Sequence, residues 1–104
     1  MEQNLIERNL IELLNASEQG KHVRHFKRTM LSEAELASEP EKYLYDIISV
    51  AEHTETGEKL MVYRARYGDK RLFARPLEMF LSPVDREKYP ACPQKMRFEV
   101  LNED

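Results

Sequence analysis

The chain has no apolar run approaching the roughly 20 residues that a membrane-spanning helix needs. It has one cysteine and three glycines in 104 residues. Each shortage excludes something. Cys92 has no second cysteine with which to close an intrachain disulfide, so nothing points to an oxidising compartment. Gly20, Gly57 and Gly68 leave none spare for cradling phosphate, and neither a P-loop nor a G-x-G-x-x-G run occurs. The C-x-x-C, H-E-x-x-H and EF-hand patterns are missing too. The start MEQNLIERNL is acidic and lacks the basic-then-apolar layout of a secretory leader. These absences give the expectation of a cytoplasmic protein with no membrane association, no metal and no cofactor.

What is present suits one small folded domain. A hydrophobic fraction of 41% can build one core, and 34% charged residues leave little of the surface greasy. The net charge of −3 conceals segmentation. Lys21 to Arg28 holds four basic residues and no acid, and Lys59 to Arg75 holds six against Asp69 alone. The acids gather in Glu2 to Glu18, Glu33 to Glu41 and the C-terminus, so a local basic face is compatible with a negative total.

Along residues 2–18, Ile6, Leu10, Leu13 and Leu14 fall on one helical stripe with Ile11 at its flank, and Gly20 sits where a C-terminal cap is wanted. Residues 1–20 are therefore expected to form an amphipathic helix that covers the core or pairs with a second copy as a homodimer. Two heptads are too few for a coiled coil, and core is the favoured use. Lys21 to Lys27 is expected to be a strand with Val23 and His25 on one face and His22, Arg24 and Phe26 on the other. Residues 28–44 form an acidic insertion in which Ser32 with Glu35, and Ser38 with Glu41, each fit a capping box, predicting one or two short helical turns.

Tyr45 to Ala51 is β-branched and strand-like. Thr56-Gly57 marks a turn with its glycine at positive φ. From Leu60 to Tyr67 the pattern alternates, with Met61, Tyr63, Ala65 and Tyr67 on one face. Gly68-Asp69 carries the signal of a two-residue type II′ hairpin, and Arg71 to Arg75 returns as the partner strand, ended by Pro76. Several short strands in so short a chain suggest a small barrel or roll.

The segments RHFK (24–27), AEHTETGE (51–58), VYRARYGD (62–69), RPLEMF (75–80) and RFE (97–99) resemble, in order and spacing, a small bacterial family catalogued as domain of unknown function 1653. The resemblance covers most of residues 22–99. It implies an SH3-like roll and no particular activity, because the family has no assigned function to carry over. The acidic insertion 28–44 replaces a short glycine-containing turn of the family, and Phe73 stands where its tryptophan is usual.

His22 and His25 invite a metal reading with His53 and Cys92, but residues three apart on a strand point to opposite faces, so no metal site is assigned. His53 beside Glu52 and Glu55 is the nearest approach to a catalytic set, and a solvated turn held by Thr54 or Thr56 explains it at less cost. The protein is therefore expected not to be an enzyme. The fold expected is mainly β: an SH3-like roll over residues 21–104 with an added N-terminal helix. The function expected is a non-catalytic binding module for a protein or peptide, its candidate groove residues Tyr63, Tyr67, Phe73, Arg75, His25 and His53. The alternative is RNA or single-stranded DNA binding through the basic hairpin 59–75, using Arg64, Arg66, Lys70 and Arg71. A stacking platform needs the aromatics and arginines on the same face.

Overall fold

The computed structural model describes residues 10–15, 17, 18, 20 and 22–101. Five strands, β1 (Val23–His25), β2 (Leu44–Glu52), β3 (Lys59–Ala65), β4 (Leu72–Pro76) and β5 (Phe98–Val100), form one sheet in the order β4-β3-β2-β1-β5. Every pairing is antiparallel. The sheet is not closed, since β4 and β5 are its two edges. Short helices at Glu33–Ser38 and Leu77–Phe80 and a 3-10 turn at Phe26–Met30 lie between the strands.

The alternation in β3 places Met61, Tyr63 and Ala65 inside, as the period-2 pattern requires. A bulge between Ile47 and Ser49 leaves Ile48 half-exposed and bends β2, increasing the curl of the sheet. The curl brings Phe98 of β5 to 5.6 Å from Tyr63 of β3 and into a stack with Phe80, their ring centres 3.9 Å apart. Phe80 and Phe98 are almost fully buried, and each burial is worth about 1.5–3 kcal/mol.

Residues 10–15 are helical, with Leu13 fully buried and Leu10 and Leu14 packed on the same core. Ile11, at the flank of the stripe, is exposed. Ser17 and Glu18 are helical too, whereas residues 2–9 and 16 of the helix expected over 2–18, Ile6 included, lie outside the described residues. No helix among the described residues is long and apolar enough to cross a membrane.

Three local expectations need correction. The strand expected over Lys21–Lys27 shrinks to Val23–His25, because His25 Nδ1 accepts the Lys27 N–H at 3.1 Å and caps a 3-10 turn. Phe26 then turns inward and forms a second small core with Val84 and Cys92, with Tyr89 against it. Within the insertion, the Ser32–Glu35 capping box starts the only helix there, whereas Ser38 ends that helix rather than capping another. Glu41 goes instead to Arg66.

The β3–β4 connection is longer than two residues. Gly68, at φ +60°, is followed by a bond from the Lys70 N–H to the Tyr67 carbonyl, but Lys70 is left-handed as well, and pairing of the strands stops at Arg64 with Leu72. Tyr67 is drawn inward to the hydroxyl of Tyr45, 2.9 Å away, which breaks the ladder before the tip.

Candidate ligand-binding groove

Between helix Leu77–Phe80 and β5 the chain runs without a paired strand and folds back on itself. Ser82 accepts the Arg97 N–H and Lys95 accepts the Val84 N–H, at 2.9 and 2.8 Å, closing a compact loop of the Ω type. Gln94 pins this loop to the sheet. Its side chain is buried; Nε2 donates to the carbonyls of Arg24, Met96 and Arg97, while Oε1 accepts from Arg24 Nε at 2.6 Å. Arg86 donates to the carbonyls of Cys92 and Gln94 from the other side.

The loop, the end of β1 and the inner face of β4 surround a groove of about 270 Å³ lined by His25, Phe26, Lys27, Arg75, Asp85, Lys88, Tyr89 and Arg97. Each cation reaches it from a different element. Arg75 pairs with Met61 across the ladder and so shares the inner face, its guanidinium 5.8 Å from the Phe98 ring centre. Arg97 is fixed by its carbonyl, which accepts from Phe26 N–H at 2.9 Å. Lys27 stands in the first turn after β1, and Lys88 lies 5.7 Å from the Tyr89 ring, which in turn lies 4.9 Å from Phe26.

The cations in the groove are unbalanced. Arg24, Lys59, Arg66 and Arg71 each have a carboxylate within 4 Å, whereas Lys27, Arg75, Lys88 and Arg97 have none among the described residues. Arg97 Nε is buried with no hydrogen-bond partner. The one acid in the lining, Asp85, turns its carboxylate onto the backbone N–H groups of Glu87 and Lys88. His25 records the resulting field: burial first, then Arg75, Lys27 and Arg97, push its pKa down to about 3. The ring is neutral near pH 7, and with Nδ1 accepting from Lys27, the ring proton resides on Nε2.

Chemically the groove offers cations, a neutral N–H donor and aromatic walls, which is an anion-binding set. The Cys92 thiol is buried and bonds to the Gln94 carbonyl. Among the described residues no cluster of His, Cys, Asp or Glu has the makings of a metal site.

Of the residues expected in a groove wall, His25 and Arg75 line this one. Tyr63 lies beneath it in the core against Phe98, and Phe73, on the same sheet face and 5.7 Å from Tyr63, is 40% exposed at the β4 edge. Tyr67 is committed to Tyr45, whose hydroxyl burial and this hydrogen bond push strongly towards the neutral form. His53 holds the β2–β3 turn, its Nδ1 accepting from Glu55 and Thr56 N–H, with Gly57 at φ +75°.

Arg64 and Arg66 part company with Tyr63 and Phe73. Arg64 is exposed on the opposite face. Arg66 donates to Glu41 at 2.8 Å and to Asp46 at 3.1 Å, and these acids raise its pKa further. Arg71 has only Asp69, in an exposed pair of little worth. Together with Lys70, Arg64 and Arg66 border a shallower hollow whose other charged walls are Glu41 and Asp46.

Sequence reasoning missed Lys27, Lys88, Tyr89, Arg97 and Gln94. The available signals were RHFK, which ends on Lys27, and Arg97-Phe98-Glu99, both parts of the family pattern.

Fold and groove together define a small, mainly β domain with a cationic cleft at an open seam of its sheet. Residues 21–100 match the family model described as "Protein of unknown function (DUF1653)", and the chain belongs to that family. No curated protein matches it, and no solved structure does.

Proposed function

We propose that this domain is a non-catalytic binding module that recognises a protein or peptide partner through the seam groove. One observation carries the reading: Lys27, Arg75, Lys88 and Arg97 converge on one aromatic-walled groove and none has a carboxylate within 4 Å among the described residues, the groove's own acid, Asp85, being turned to backbone N–H groups. A charge-assisted bond to an anionic side chain would supply what these groups lack. The curl that brings β5 across to β3 supports an SH3-like roll with one open seam. The lone buried Cys92 is consistent with a reducing, cytoplasmic setting. Since Leu10, Leu13 and Leu14 pack on the domain's own core, covering the core is favoured over a homodimer as the use of the N-terminal stripe.

The competing reading, RNA or single-stranded DNA on the basic hairpin, has weaker support. Arg66 is held by two acids, and Arg64 lies on the sheet face opposite Tyr63 and Phe73, so neither can share a stacking surface with those rings. The test is an array of immobilised peptides of mixed charge, probed with the full chain and with the Arg75→Gln, Arg97→Gln double variant. Retention on acidic peptides that the double variant loses is the expected result. Equal retention by both proteins would remove the groove from consideration.

A further inference from the structure

Among the described residues strand β4 is an edge of the sheet, and its Arg75 lines the groove. The Ala65 N–H donates to the Arg71 carbonyl, which sets the alternation of the ladder. Tyr63 with Phe73 and Met61 with Arg75 are then the hydrogen-bonded pairs. The backbone N–H and C=O of Leu72 and Ala74, and the C=O of Pro76, face away from β3, where the sheet has no further strand among the described residues. Leu72 is 53% exposed and Phe73 40% exposed along that edge. The edge carries some protection, being short, with Pro76 at its end and Arg75 on its inner face, but Leu72, Phe73 and Ala74 leave its middle apolar and exposed.

We propose that the partner is an extended acidic peptide segment that adds to the free edge of β4 as a further antiparallel or parallel strand and sets a carboxylate in the groove against Arg75 and Arg97. This rests on the groove being a peptide site and adds the mode of binding. Cross-strand neighbours share a face, so the peptide residue opposite Arg75 points into the groove and the residue two positions along covers Phe73. Main-chain bonds to Leu72 and Ala74 supply affinity that tolerates sequence, while the paired positions select acid and apolar side chains in alternation. The unneutralised cations name the charge of the occupant, and the unpaired backbone with apolar flanks names a peptide in preference to a nucleic acid, which has no strand edge to offer.

The probe is an acetylated, amidated decapeptide of alternating valine and threonine in which one central valine is glutamate, compared with its glutamine counterpart and with oligothymidylate. Backbone amide exchange is followed by NMR on the full chain. At saturation with the glutamate peptide, exchange at the Leu72 and Ala74 amides slows about tenfold or more, while Phe73 and Arg75, already bonded to β3, are unchanged. The glutamine peptide binds roughly tenfold more weakly, the size expected for losing one charge-assisted bond. Ala74→Pro deletes an outward donor without touching a bond to β3, so it lowers affinity to a similar extent while its melting curve stays cooperative.

Glutamate-dependent binding that is lost in Arg75→Gln but leaves Leu72 and Ala74 exchange unaltered overturns strand addition and leaves the groove reading standing. Failure of both peptides to bind also overturns strand addition, and the peptide array then decides the groove reading alone. Oligothymidylate binding that depends on Arg75 in place of peptide binding overturns both. Protection of Leu72 and Ala74 that grows with protein concentration without peptide shows a second copy on the edge and overturns the proposal.

Discussion

The guanidinium of Arg75 on β4 lies 5.8 Å from the ring centre of Phe98 on β5, although these two strands are the opposite edges of the sheet. The contact spans the open seam. It fixes one cation over the groove while leaving its charge without a carboxylate among the described residues.

Arg75→Gln therefore separates recognition from folding. Loss of the cation–π contact costs about 0.5–1 kcal/mol, visible as a small fall in the urea midpoint. Affinity for acidic peptide falls roughly tenfold. Because Arg75 also holds the His25 pKa down, the His25 NMR titration moves up towards its ordinary value of 6.5.

His25 makes stability depend on acid. Its folded pKa of about 3 lies below the unfolded value of 6.5, so the unfolded chain binds more protons in between. The contribution is fully present above about pH 6.5 and is lost progressively as pH falls towards 3, with a slope approaching roughly 1.4 kcal/mol per pH unit. Urea titrations across that window should show this slope. His25→Asn keeps an acceptor for the Lys27 N–H and removes the titration, so it lowers stability at neutral pH but flattens the dependence. An unchanged slope would show that another group carries it.

Gln94 is the clamp of the loop 82–97. Gln94→Leu preserves bulk but strands Arg24 Nε and buried carbonyls, costing about 1–3 kcal/mol. Amide exchange should accelerate in residues 82–97 before it does in β2 and β3, because the loop's tie to β1 is lost first. Uniform acceleration would mean that loop and sheet open together.

Phe98→Ala removes the ring against which Phe80, Tyr63 and Arg75 all rest. The expected destabilisation is about 3–5 kcal/mol, measured by chemical denaturation. Phe73→Ala, at the half-exposed edge, should cost well under half of that.

The sequence announced its local devices better than its tertiary ones. The alternation of Met61, Tyr63 and Ala65, the capping box of Ser32 with Glu35, and the positive φ of Gly57 and Gly68 depend on neighbours in the chain, and all stand in the fold. Arg75 and His25 were expected at a groove and line one. Lys88, Tyr89 and Arg97 were not expected, because they sit in or beside a segment with no periodicity, and only the curl of the sheet carries β5 across to β4. Gln94 was invisible for a related reason: a buried glutamine is recognised by the carbonyls around it, which come from β1 and from its own loop. The turn expected at Gly68-Asp69 forms, closed by the Lys70 N–H on the Tyr67 carbonyl, but the strands part before it, where the Tyr67 hydroxyl meets that of Tyr45, a long-range contact the local pattern does not carry.

Fluorescence anisotropy with one labelled acidic peptide, taken from those the array retains, addresses the central claim most directly. It is titrated with the parent chain, with the Arg75→Gln, Arg97→Gln variant, and with the Arg64→Ala, Lys70→Ala, Arg71→Ala variant. The groove account predicts at least a tenfold loss in the first variant and little change in the second. Parent-like binding by the first variant, or loss confined to the second, would contradict it.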